Sequence, residues 1–227
     1  MPNRSSTRRL PPEGVAETES ALRHMIGLVS DPNTPPEGVT AIKSYTLTSA
    51  ETAVSDLDEH RASRAQTTDA RTNQRARNTE SDEAVFGFLG SVRLNGGKTL
   101  YEEVLRELDG SPSDVLGQPD RDQVFSIETF IARLGARDLK LPEERFEQVK
   151  TTQAALRAAI STTDAAVERQ ARLAKASRAS LKAARADYSR LIMALTLLLG
   201  EDAVYGLLLT FDRAPAKKAA AEETDEG

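Results

Sequence analysis

The sequence predicts an all-α protein, an elongated helical bundle, and three features of its 227 residues support that prediction. Its aromatic residues are only six Phe and four Tyr, whereas a β-sandwich uses more aromatic and β-branched side chains. Two long stretches contain neither Pro nor Gly, one between Val39 and Phe86 and one between Glu143 and Leu199. The first half of the chain also resembles the second, which indicates a tandem duplication.

Three pairs of segments carry the resemblance between the halves. Residues 21–39 align with 126–146 at a shift of 105, and each segment then runs through a polar loop to a Pro-Glu pair. The matched apolar positions are Leu22/Ile127, Met25/Phe130, Ile26/Ile131 and Val29/Leu134. Residues 53–58 resemble 159–164, and residues 96–105 resemble 200–209. We therefore expect a unit that occurs twice in the same order.

The duplication predicts the organisation of the whole chain. We expect a disordered tail at 1–14, a first helical repeat at 15–110, a linker at 111–125, a second repeat at 126–212 and a disordered charged tail at 213–227. Each repeat consists of a short helix, a very long helix and a second short helix. The first helix has apolar residues at i, i+3, i+4 and i+7, which is a one-sided stripe.

Each very long helix should begin at a proline. Pro36 and Pro142 precede the stretches without breakers, at a position where the missing N–H costs nothing. If each stretch is continuous, it forms a helix of about 50–57 residues, or roughly 75–85 Å.

The stretch Gly-Gly-Lys-Thr at 96–99 resembles the end of a phosphate-binding loop, but the spacing fails. Such a loop needs a glycine five residues before Gly97, and that position is Val92. The glycines instead predict the end of a helix, where a positive φ is free of steric cost. Thr99 and Glu102 have capping-box spacing, so the next helix should cover 99–109, and its counterpart should cover 201–212.

A heptad pattern runs along the second long segment. Its first position is held by Ile160, Val167, Ala174, Leu181, Tyr188 and Leu195, and its second by Thr163, Gln170, Ser177, Ala184, Leu191 and Leu198. This seam predicts that the two long helices pair antiparallel in coiled-coil fashion. The apolar start of one helix would then meet the apolar end of the other.

The middle of the first long segment, residues 60–81, has no large apolar side chain. Packing alone cannot hold such a helix, so the chain either continues as one helix or breaks near Thr67 and Asp69 to form a hairpin. Four alanines and five arginines favour the continuous helix.

Both long segments carry a basic middle. Residues 60–78 hold five Arg against one Asp, and residues 168–190 hold seven basic against two acidic residues. The candidate binding positions are Arg61, Arg64, Arg71, Arg75, Arg77, Arg172, Lys175, Arg178, Lys182 and Arg185. Such a face binds phosphates or acidic proteins, or simply stays solvated. The net charge of −5 and the scarcity of aromatic residues in both stretches favour the solvated face.

Metal, cofactor and catalytic chemistry find little support. The absence of Cys excludes disulfides and thiolate sites, and His24 and His60 lack a Glu-x-x-His partner. The acidic residues Asp56, Asp58 and Glu59 should face water. We therefore expect no cofactor, no metal and no enzymatic activity.

The stretch 191–211 is the most apolar of the chain, but Glu201 and Asp202 divide it into two short runs. A membrane span needs roughly 20 apolar residues, so buried helix ends are the better interpretation. Residues 1–14 lack the apolar core of a signal peptide, and cytoplasmic residence is the default expectation.

These observations favour a non-enzymatic structural or interaction protein. It would be an elongated scaffold or assembly subunit that binds itself, as a homo-oligomer, or another protein. The alternative is a nucleic-acid-associated protein that uses the arginine-rich middles of the two long helices.

Overall fold

A computed structural model of the chain describes residues 7–8, 14–209 and 211–212. The helices of this part are α1 Val15–Leu28, α2 Pro36–Tyr45, α3 Leu47–Leu105, α4 Pro112–Leu116, α5 Asp120–Gly135, α6 Glu143–Leu199 and α7 Glu201–Leu207. Two short strands, β1 Thr7–Arg8 and β2 Phe211–Asp212, pair antiparallel. The all-α prediction is confirmed. The predicted tail at 213–227 lies outside the described residues, as does most of the tail at 1–14.

The chain forms two compact units. Unit 1 contains residues 1–60 and 173–227, and unit 2 contains residues 61–172. The boundaries fall inside α3 and α6, so each unit takes the start of one long helix and the end of the other. The compact units therefore divide the chain differently from the sequential repeats expected from the alignment.

The core of unit 1 is built around the stripe of α1. Leu22 and Met25 are fully buried, as the i, i+3 spacing predicts. They belong to one cluster with the start of α3 and the end of α6. Its main members from the long helices are Ala50, Ala53, Leu57, Leu181, Ala184, Tyr188, Leu191 and Leu195.

The core of unit 2 is also built from a short helix packed against parts of both long helices. The stripe of α5, with Ile127 and Phe130, is buried against the end of α3 and the start of α6. The ring of Phe88 lies edge-on to Phe130, with centroids 6.3 Å apart, and 5.4 Å from the ring of Phe146. Such aromatic pairs contribute about 0.5–1.5 kcal/mol beyond the burial of area.

The polar middle of α3 is a continuous helix, as expected, and the hairpin interpretation is wrong. Small polar side chains replace apolar ones on its buried side, where Ser63, Thr67 and Ser81 are almost inaccessible to water. The Thr67 hydroxyl donates to the Ser63 carbonyl at 2.9 Å and lies 3.3 Å from the carbonyl oxygen of Ala166 on α6.

A second polar contact joins the helices closer to the core of unit 2. The Ser81 hydroxyl donates to Oε1 of Gln153 at 2.8 Å, and Nε2 of Gln153 donates to the Val124 carbonyl at 3.2 Å. Thr67 contacts Ala166, whereas Ser81, which lies further along α3, contacts Gln153, which lies earlier on α6. The two long helices are therefore antiparallel within this unit.

The helix that was expected to start at Pro36 is interrupted at Thr46. This residue has φ −142° and ψ −24°, so α2 ends before it and α3 begins after it. Thr46 is buried, and its hydroxyl lies 3.4 Å from the carbonyl oxygen of Asp187 on α6. No Pro or Gly marks the position. The only local signal is poor helix propensity in the Ser- and Thr-rich stretch 44–49.

Glycines end both long helical runs. Gly97 has φ 73° and Gly200 has φ 82°, which confirms the predicted glycine cap after the first long segment. The capping box does not form, because Thr99 has helical torsion angles and is therefore not an N-cap residue. Glu102 lies 3.6 Å from Lys98. The helical stretch after Gly97 ends at Leu105 and α7 ends at Leu207, so both are shorter than expected. Helix α4 and the start of α5 fall in the expected linker 111–125.

The heptad seam of α6 is mostly turned inward. Ten of its twelve predicted positions are buried or half-buried, whereas Val167 is 38% and Leu198 59% exposed. None of the helices within the described residues has both the length and the apolarity needed to cross a bilayer.

Candidate interaction surfaces

The basic positions on α3 all belong to unit 2. Arg61, Arg64, Arg71 and Arg75 are exposed, whereas Arg77 is half-buried and pairs with Glu80 at 2.6 Å. Surface ion pairs of this kind contribute little, about 0–1 kcal/mol. Four of the five cations therefore occupy exposed positions of α3.

The basic positions on α6 are divided between the units. Arg172 lies in unit 2, where its guanidinium is 3.8 Å from Glu168, and the remaining four lie in unit 1. Lys175, Arg178 and Lys182 are exposed, and Arg185 is half-buried. Their spacing of three and four residues puts them on one side of the helix.

Part of this basic side forms a groove with the first turn of α1. The groove has a volume of about 680 Å³, and its walls include Gly14, Val15, Arg178, Leu181, Lys182 and Arg185. We call it the basic groove. Among the described residues that line it, none is acidic. Its floor is apolar, since Leu181 is buried and Val15 is 49% exposed. Sequence reasoning found the cations but not the groove, because nothing in the sequence brings α1 to this part of α6.

Two of the histidine and carboxylate candidates, His24 and Asp58, contact other parts of unit 1. Nε2 of His24 lies 3.0 Å from the carbonyl oxygen of Leu207. Arg23 binds both oxygens of Asp58, at 2.7 and 2.9 Å, and Oε1 of Glu19 at 2.8 Å. The hydrogen bonds to Asp58 and then to Glu19 raise the pKa of Arg23 above its usual value. This network links α1 to the start of α3.

The acidic cluster does not form a buried acid–base pair. Asp58 and Glu59 are exposed and Asp56 is half-buried. Within the described part of the chain, no group of three or more His, Asp and Glu side chains is placed to hold a metal ion.

An exposed apolar surface on the end of α3 was missed by the sequence reasoning. Phe86 is 51% and Leu94 86% exposed, and Gly90 lies between them at the same four-residue spacing. Gly87 is adjacent. A Cβ atom added at either glycine would meet no atom within 4 Å, so this side of the helix is open. We call Phe86, Gly87, Gly90 and Leu94 the α3 end face.

A similar surface lies on the end of α6. Met193 is 60% and Leu197 88% exposed, which corrects the expectation that the apolar stretch 191–211 is buried. Within α6 the core takes Leu191 and Leu195, with Ile192 and Leu199 partly buried beside them, and it also takes Val204 and Leu208. Met193 and Leu197 project from another side, and we call them the α6 end face. The excess of apolar residues over one helical stripe was the signal available in the sequence.

Comparison with protein-family models, with curated proteins and with solved structures finds no match.

Proposed function

We propose that the protein is a non-enzymatic assembly subunit, a helical scaffold whose chains bind one another through the α3 and α6 end faces. The observation that carries this proposal is the exposure of Leu94 and Leu197, at 86% and 88%. Single exposed apolar residues are common on proteins, but clustered ones mark sites of interaction. Here Phe86 lies about two helical turns before Leu94, and Met193 lies about one turn before Leu197.

A duplicated origin would supply the same face twice. At a shift of 103 residues, the ends of α3 and α6 have matching burial. The buried pairs are Ser81/Ala184, Val85/Tyr188, Phe88/Leu191 and Val92/Leu195, and the exposed pairs are Gly90/Met193 and Leu94/Leu197. Gly97 and Gly200, which both have positive φ, have the same separation. This agreement supports a tandem duplication whose two long helices pair in coiled-coil fashion.

The glycines of the α3 end face support close contact with another chain. Neither Gly87 nor Gly90 has a positive φ, so the helix has no conformational need for glycine there. Each glycine inside a helix costs about 1 kcal/mol relative to alanine. Since no described residue from outside this part of α3 lies within 4 Å of an added Cβ at either position, close approach of an external backbone gives these residues a use.

The proposal is tested by measuring mass by light scattering over a wide range of protein concentration. Wild-type protein should show a mass above that of one chain, rising with concentration, and Leu94→Glu should lower the association constant at least tenfold. The substituted side chain is exposed, so the fold should lose no more than about 0.5 kcal/mol.

Ala76→Glu is the matched control, because it adds the same charge at an exposed position of the same helix. It should associate like wild type. A wild-type protein that stays monomeric at all concentrations would refute the proposal, as would equal losses in both variants.

The alternative function, association with nucleic acid, is supported by the exposed cations on both long helices, such as Arg71, Arg75 and Arg178. It requires binding of duplex DNA or RNA that weakens steeply with salt, as fluorescence anisotropy would measure. Arg178→Glu with Arg185→Glu should then weaken binding and leave the helical signal intact.

A further inference from the structure

The basic groove has the charge of a binding site for an acidic segment. Lys175, Arg178 and Lys182 lie on one exposed side of α6. Arg178 and Lys182 line the groove, and Lys175 lies on the same side of the helix one turn before Arg178. Exposed cations grouped at a groove produce a local potential that attracts an opposite charge.

The apolar floor of the basic groove favours a ligand that also has apolar groups. Between the cations lie Leu181 and the half-exposed side chain of Val15. A free polyanion would leave this floor in contact with water. A peptide that carries both small apolar and acidic side chains would cover the floor and neutralise the cations Arg178 and Lys182.

The chain contains a segment of this composition outside the described residues. Residues 219–226 read Ala-Ala-Ala-Glu-Glu-Thr-Asp-Glu, with four acidic and no basic side chains. Alanine and glutamate favour helix, and a short run of them presents small apolar and acidic groups together. The small apolar and acidic side chains of this segment therefore complement the apolar floor and the cations of the groove.

The connection to the described chain permits this contact. Asp212, at the end of β2, pairs with Thr7 of β1, and Gly14 in the groove wall is seven residue steps after Thr7. Seven residues span at most about 25 Å, and the ten from Asp212 to Glu222 span up to about 36 Å. A tethered segment within reach has an effective concentration in the millimolar range, so even weak affinity is enough to fill the groove.

We propose that residues 219–226 bind the basic groove of unit 1 in the same chain. The groove is then occupied by the chain's own acidic segment, and an external acidic protein or nucleic acid binds there only by displacing it.

A paramagnetic label provides a direct test. Because the chain has no cysteine, Thr224→Cys creates a single site for a nitroxide. At low salt, the amide signals of residues 178–189 should lose more than half their intensity in the oxidised sample relative to the reduced one. Amides of α5, in unit 2, serve as the reference and should keep theirs.

Two charge-reversal variants make the test specific. Arg178→Glu with Lys182→Glu should abolish the intensity loss, whereas the matched pair Arg71→Glu with Arg75→Glu on α3 should retain it. All four positions are exposed, so circular dichroism should match wild type. The proposal is overturned if the labelled wild type shows no intensity loss at residues 178–189. It is also overturned if the loss persists in the variant Arg178→Glu with Lys182→Glu.

Mixed samples distinguish binding of the segment within one chain from binding between two chains. Isotope-labelled chains without nitroxide are combined with unlabelled chains that carry it, and the proposal expects no loss of signal in the mixture. A loss at residues 178–189 in the mixture as large as in the single-chain sample overturns binding within one chain in favour of exchange between copies.

A second measurement uses the peptide of residues 213–227 as a fluorescent probe. It should bind at least tenfold more tightly to a chain in which Glu222, Glu223, Asp225 and Glu226 are replaced by the corresponding amides than to wild type. Equal affinity for both proteins contradicts occupation of the groove.

Discussion

The glycines of the α3 end face allow a test in which stability and association should move in opposite directions. The perturbation is Gly87→Ala with Gly90→Ala. Both residues lie inside α3 at helical torsion angles, and an added Cβ meets no atom within 4 Å at either position. The substitutions should therefore cause no clash within the chain.

The expected gain in stability follows from helix propensity. Each replacement of glycine by alanine in a helix interior is worth about 0.8–1 kcal/mol, so the double variant should gain about 2 kcal/mol. For a chain of this size that corresponds to a rise of roughly 4–8 °C in Tm. Thermal melts followed by circular dichroism, at a concentration where the wild type is monomeric, measure this gain.

Association should weaken in the same variant. Two methyl groups on the surface where a second chain approaches prevent close contact of the backbones, and we expect the association constant to fall at least tenfold. Gly27→Ala is the control, because Gly27 lies in α1 and an added Cβ there also meets nothing within 4 Å. It should raise stability and leave association unchanged. If the double variant is more stable but associates like wild type, the glycines are not in the contact.

Two further substitutions test the cores. Tyr188→Phe should raise the free energy of unfolding by about 1–3 kcal/mol, because the buried hydroxyl has no hydrogen-bond partner among the described residues; a loss of stability in urea titrations would contradict this. Burial also raises the pKa of Tyr188 above its ordinary value of 10.0. Just above pH 10 only the unfolded chain therefore releases the phenolic proton. As the pH rises above 10, wild type should lose stability faster than the Phe variant. Gln153→Ala should cost about 2–4 kcal/mol, since it leaves the Ser81 hydroxyl and the Val124 carbonyl without their partner; a cost below about 1 kcal/mol in the same titrations would show that water replaces it.

Helix content and the stripes of the short helices were predictable from sequence. Long runs without Pro or Gly leave no strong interruption, and a stripe at i, i+3, i+4 has one side to bury. Thr46 shows the limit of this reasoning. Its non-helical torsion angles coincide with burial beside α6, a tertiary contact that overrides a local sequence with no strong breaker.

The surfaces were less predictable than the helices. The cations on α6 are visible in the sequence, but the groove they line exists only because α1 begins beside them. Exposure of Phe86 and Leu197 was missed for a different reason. Apolar residues on several sides of a helix indicate that not all are buried in the same core, but they do not indicate which side the core takes.

The polar middle of α3 explains how two helices pair where neither has many large apolar side chains. Apolar contacts are tolerant of sliding, because one methyl group replaces another at little cost. The Ser81–Gln153 pair is not tolerant, since a shift of one helical turn would leave both buried side chains without partners, at about 1–3 kcal/mol each. Buried polar pairs in helical seams select one register for this reason. In unit 2, therefore, the polar contacts of Thr67 and Ser81 favour one alignment of α3 against α6, while the phenylalanine cluster contributes apolar burial.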